Sequence, residues 1–97
     1  MIHLQIQSES QEAALDLVRS AIDAEINRMN LGLEATHRHI RVFEDRYSVT
    51  SEVFLRDFSA ENLKGGDQEY VAWAGEIKLS ERIEAQLGTL RNIQYAA

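Results

Sequence analysis

The chain of 97 residues contains no cysteine and no proline, only 5 glycines, and aromatic residues at 7%. Without cysteine there is no disulfide framework, no thiolate metal site and no thiol nucleophile. Without proline nothing in the sequence forces a helix to break, so long helices are permitted. No run approaches the ~20 apolar residues that span a bilayer, and the opening residues lack the charged and apolar regions of a secretory signal. The expectation is a soluble, reduced, cytoplasmic protein with no membrane contact. Basic charge is also scarce: 10 Lys+Arg stand against 16 Asp+Glu, a net charge of -6. Broad binding to a phosphate backbone needs clustered cations, so nucleic acid is a disfavoured partner.

What is present is periodicity. Residues 2–7 alternate, with Ile2, Leu4 and Ile6 on one side and His3, Gln5 and Gln7 on the other, which predicts a half-buried strand arm over 1–8. Ser8 and Gln11 then fit a capping box, with Glu9 and Glu12 in the first turn. From there Leu15, Val18, Ile22, Ile26, Met29, Leu33, Thr36, Ile40, Phe43 and Tyr47 recur at steps of three or four. This seam predicts one helix over 9–47, about 58 Å long at ~1.5 Å per residue. Asn30-Leu31-Gly32 is the one place where it could turn, and the seam keeps phase across it.

Thr50 reads as the N-cap of a short helix within 50–58 that offers Phe54, Leu55 and Phe58 to a core. Gly65-Gly66 marks a turn, and Asp67 caps a last helix over 67–94 carrying Tyr70, Trp73, Ile77, Leu79, Ile83, Leu87, Leu90 and Ile93. Gly75 is expected where another backbone approaches. The fold class expected is mainly α, a single domain: a short N-terminal β-strand, then a long antiparallel helical hairpin with a short helix at the connection. Two helices meet along one line, whereas the apolar stripe also includes Leu17 and Val42, so a second chain is expected to cover the remainder.

Catalytic signatures are missing. Glu34-x-x-His37 is one half of a carboxylate-bridged metal motif and lacks the second motif and inward glutamates such a site needs. His37 and His39 leave a helix on different sides. Gly65-Gly66 lacks the Lys-Ser/Thr of a phosphate loop, and there is no His-Glu-x-x-His. Neither an enzyme nor a cofactor is expected. The strand-helix opening invites comparison with ribbon-helix-helix repressors, but their first helix turns after about a dozen residues, and this strand carries no Arg or Lys. Charge is uneven: residues 1–36 carry a net -4, 37–56 a net +1 and 57–97 a net -3. The basic cluster is His37-Arg38-His39-Ile40-Arg41.

Phe43-Glu44-x-x-Tyr47, Thr50-Ser51-Glu52-x-Phe54, Gly66-Asp67-x-x-Tyr70-Val71-x-Trp73-Ala74-Gly75-Glu76 and Arg82-Ile83-Glu84-x-Gln86-Leu87 together resemble a family of small uncharacterised prokaryotic helical proteins often taken to be antitoxins. The likeness covers about half the chain, and Tyr-x-x-Trp-Ala-Gly-Glu is its most specific part. Ser48 stands where that family carries Gly, Val53 where it carries a capping Glu, Gln68 and Ala72 at acidic positions, and Ile77 for a Tyr. The resemblance implies a non-catalytic protein that neutralises a small, basic toxin by direct contact. Partner-binding residues are then expected at Ile2, Leu4, Ile6, Ile22, Ile26, Met29, Leu33 and Ile40, through strand addition and helix-in-groove contacts. Phe43, Tyr47, Phe54, Phe58, Tyr70 and Trp73 are expected as core or interface anchors, Trp73 as core. The alternatives are a self-associating helical module forming a homodimer and, behind it, a DNA-binding autorepressor.

Overall fold

The structure, a computed structural model, describes residues 11–96. Helix α1 (Gln11–Tyr47) runs unbroken through Gly32, α2 (Ser51–Asp57) follows, a single 3-10 turn (Ala60–Asn62) leads on, and α3 (Gly66–Ala96) folds back along α1. The expected fold class is corrected in one respect: the described residues are helical and contain no strand. The strand arm and its residues Ile2, Leu4 and Ile6 lie outside the described residues.

Each junction has a local cause. Helix α1 ends because Ser48 takes a left-handed φ of 54°, and the Val49 N–H reaches back to the Glu44 carbonyl at 3.2 Å. This is a Schellman stop with serine where glycine is usual. Thr50 caps α2, its hydroxyl accepting from the Val53 N–H at 3.3 Å. Helix α3 starts at Gly66 (φ 59°), ahead of the expected Asp67 cap, because the Glu69 carboxylate accepts from the Gly65 N–H at 2.8 Å and serves as the cap. A Cβ on Gly65 would sit 2.9 Å from the Glu69 Cβ, so only glycine fits there.

The hairpin holds two apolar cores in series. At the open end Ile22 and Ile26 pack on Ile83 and Leu87, flanked by Val18, Met29, Leu33, Leu79, Leu90 and Ile93. At the closed end Phe54, Leu63, Trp73 and Ile77 are surrounded by Ile40, Phe43, Tyr47, Val49, Phe58, Tyr70 and Ala74. Between them the buried residues are small and polar, Thr36 and Ser80, the latter donating to the Ile77 carbonyl at 2.7 Å. The molecule measures 62 × 21 × 18 Å with a radius of gyration of 19.0 Å. A compact chain of this length has a radius of gyration of about 12.5 Å, so most of the hairpin's sides face solvent.

Candidate functional site

The most ordered chemistry in the molecule is the aromatic node at the closed end. Trp73 is fully buried and stacks on Phe54 with ring centroids 3.8 Å apart and planes 4° from parallel. Phe43 and Tyr47 stack on it at 5.5 and 5.9 Å. Tyr70 and Phe58 close the node against Phe54 at 5.0 and 6.2 Å. Its polar edges are satisfied in sequence: the Trp73 indole N–H donates to Ser51 Oγ at 3.0 Å, and Ser51 donates from both its hydroxyl and its backbone N–H to one Glu44 oxygen, at 3.0 and 2.8 Å. All six expected anchors therefore come together, and they do so within the chain.

A second relay braces the same end. Glu69, whose side chain is 11% exposed, accepts from the Tyr47 hydroxyl at 2.8 Å, from Arg46 at 2.6 Å and from the Gly65 N–H. The Tyr47 oxygen in turn accepts from the Lys64 N–H at 2.9 Å. The hydroxyl of Tyr47, then Arg46 and the Gly65 N–H, hold the Glu69 carboxyl below the usual glutamate range against the opposing effect of burial. Both relays tie the connection to the helices. Of the motif residues, Phe43, Tyr47, Phe54, Tyr70 and Trp73 build the closed end of the hairpin, whereas Ile83 and Leu87 belong to the open-end core. Glu44 and Glu69, which hold these relays, carried no signal of that role in the sequence, because each acts on residues whose nearness depends on the hairpin closing.

The helix positions expected at a partner surface are placed differently. Ile22 and Ile26 are buried against Ile83 and Leu87, Met29 and Leu33 pack beside them, and Ile40 packs in the aromatic core. The seam that carries them is the line along which α3 folds back, so the hairpin itself covers it. Gly75, expected at a close approach, has open space around it.

The open surface lies beside that seam. Two shallow, solvent-open depressions sit in the angle between α1 and α3: one of about 280 Å³ lined by His39, Val42, Phe43, Ala72 and Glu76, the other of about 270 Å³ lined by Glu25, Met29, Gln86, Thr89 and Leu90. Their linings correspond at a spacing of two heptads on both helices: Glu25 with His39 and Met29 with Phe43 on α1, Ala72 with Gln86 and Glu76 with Leu90 on α3. A two-heptad repeat returns to nearly the same side of a helix, so both depressions open on one lateral face, about 21 Å apart. Each has a glutamate at its rim. One Glu76 oxygen pairs with His39 Nδ1 at 3.0 Å, while the other, Oε2, is buried without a hydrogen-bond partner among the described residues.

Of the Glu34-x-x-His37 pair, His37 lies 3.7 Å from Glu84 of α3, on the other side of α1 from His39. Among the described residues no group of three or more His, Asp or Glu side chains could hold a metal ion, and no helix is long and apolar enough to cross a membrane. Comparison with protein families, curated proteins and solved structures finds no match to this chain.

Proposed function

We propose that the chain is a non-catalytic, antitoxin-like binding protein of the cytoplasm that neutralises a small basic toxin by direct contact, holding one helix of that partner in the lateral groove between α1 and α3. The observation that carries this reading is the pair of apolar depressions in two-heptad register on one face, each rimmed by a glutamate. A helix laid along the groove meets both if it presents apolar anchors about 21 Å apart, four helical turns. Glu76 stands at the rim with one oxygen on His39, and a lysine or arginine of the partner brings the carboxylate an opposite charge. Burying that carboxylate against an apolar partner helix instead would be strongly unfavourable, which selects for a basic one.

Co-expression with the product of the adjacent open reading frame tests this. The two chains should co-purify, and growth should be restored when the neighbour alone is toxic. Val42→Asp and Glu76→Lys should each weaken the complex by roughly 10-fold or more while helix content stays unchanged. Persistent toxicity in the presence of the wild-type chain refutes the reading. A complex indifferent to both substitutions refutes the groove.

A further inference from the structure

The two apolar cores of the hairpin are not tied equally. At the closed end Trp73 and Phe54 are fully buried, and the elements are joined by bonds from Trp73 to Ser51, from Ser51 to Glu44, and from Tyr47 and Arg46 to Glu69. At the open end the core is aliphatic, Ile22 and Ile26 against Ile83 and Leu87. Its polar links across the helices lie in solvent: Gln94 donates to Asp23 at 2.6 Å, and His37 stands 3.7 Å from Glu84. The two cores share no buried residue. The register of His39 with Glu76 and of Asp23 with Gln94 sets Thr36 level with Ser80, and both are buried, so two hydroxyls interrupt the apolar line where the cores would otherwise meet. The Ser80 hydroxyl is bonded within α3, to Ile77, and adds no tie across the interface.

We infer that the hairpin is hinged at this waist: the open arm, residues 18–33 of α1 with 79–93 of α3, separates as one unit while the closed end stays folded. The direction follows from connectivity. The closed end is bridged by the chain itself through α2 and the 3-10 turn, so its contacts close a short loop. The two helices of the open arm are joined covalently through that end, and their contacts form at high effective concentration while it holds them side by side. Energetics point the same way. Opening the arm gives up aliphatic burial and exposed polar links that water replaces, whereas the closed end adds stacked rings and charge-assisted bonds to a shielded carboxylate. Segments that open locally are those with few buried contacts and exposed hydrogen bonds. The depression lined by Glu25, Met29, Gln86, Thr89 and Leu90 belongs to the arm, and the one beside His39 and Glu76 belongs to the closed end. Opening therefore dissolves one half of the lateral groove and spares the other, so the hinge sets whether a ligand meets one depression or both. The hinge is a property of the hairpin alone, whatever occupies the groove.

Hydrogen exchange of the wild-type chain in low urea, followed by mass spectrometry, should show residues 18–33 and 79–93 exchanging together, roughly 10-fold or more faster than residues 40–47 and 70–77. Leu87→Ala empties the middle of the open core, where Leu87 is 2% exposed. It should speed exchange in the arm by a further factor of roughly 10 or more and leave the near-ultraviolet signal of Trp73 and the exchange of residues 70–77 as in the wild type. Joining the cores has the opposite effect: Thr36→Val combined with Ser80→Ala should slow the arm towards the rate of the closed end, and an arm unchanged by that pair overturns the waist as the hinge. Equal exchange in the two halves also overturns the proposal, as does a rate that rises steadily towards the helix ends with no break at Thr36 and Ser80. So does a Leu87→Ala chain that loses the Trp73 signal together with the protection of the arm.

Discussion

Trp73→Ala is expected to remove most of the stability of this fold. The indole is fully buried, lies face to face on Phe54 at 3.8 Å, and is flanked by Phe43 and Tyr47. Truncating a buried Trp to Ala typically costs about 3–5 kcal/mol in lost transfer and cavity terms. A chain of 97 residues has a stability of order 5–15 kcal/mol, and this elongated hairpin with two small cores belongs at the low end. The N–H···Ser51 bond adds a separable part. Trp73→Phe removes the donor and some volume, while Ser51→Ala leaves a buried indole N–H unpaired at about 1–3 kcal/mol. The double variant should therefore lose about 1 kcal/mol less than the two single losses combined, the coupling expected of a direct hydrogen bond. Urea unfolding followed by far-ultraviolet circular dichroism measures all five proteins without relying on the tryptophan itself. If Trp73→Ala unfolds at the wild-type midpoint and only loses a partner, the residue is an interface anchor and the account of the node is wrong.

Three further perturbations follow from the geometry. Ser48 holds a left-handed φ of 54°, a conformation costing an L-residue about 1–2 kcal/mol, so Ser48→Gly should stabilise the protein by about 1 kcal/mol; a lower melting temperature would refute the Schellman stop. At Gly32 an added Cβ would meet Ile83 Cδ1 at 3.8 Å, ordinary contact, and at Gly88 it meets nothing, so Gly32→Ala and Gly88→Ala should each add about 0.5–1 kcal/mol through helix propensity and add together, read as successive rises in melting temperature. Glu69 has a carboxyl pKa lowered in the folded state, chiefly by the Tyr47 hydroxyl, so its contribution is complete above the ordinary glutamate value near ~4.3 and is lost as pH falls through the lower folded value. Acid titration of stability should show that loss in the wild type and a flatter acid limb in Glu69→Gln; identical limbs would remove Glu69 from the argument.

The helices were legible because their signals are local. The three-four seam through Ile22, Ile26, Met29, Leu33 and Ile40 specifies a long amphipathic helix from neighbours alone, and the Thr50 hydroxyl specifies a cap three residues away. What the seam packs against is a different question, and periodicity is silent on it: the same residues read equally as a surface for another chain or as the inner line of a hairpin. The decision rests on the closed end, where Glu44 holds Ser51 and Ser51 holds Trp73 across 22 residues of sequence. Such contacts exist only after the chain has turned, so no window of sequence contains them. The alternation over residues 2–7 belongs to the undescribed start of the chain, and the described fold is helical without it.

Once the seam is used inside the hairpin, the lateral groove is what the proposed partner has to engage. The lateral groove is defined by residues from both helices and rimmed by Glu25 and Glu76, so it exists only when α3 is docked. Loss of the closed-end node, which docks α3 on α1, should therefore abolish groove binding. Trp73→Ala tests that dependence: a variant in which α3 has undocked and the partner no longer binds supports it, and one that still holds its partner after α3 has undocked refutes it.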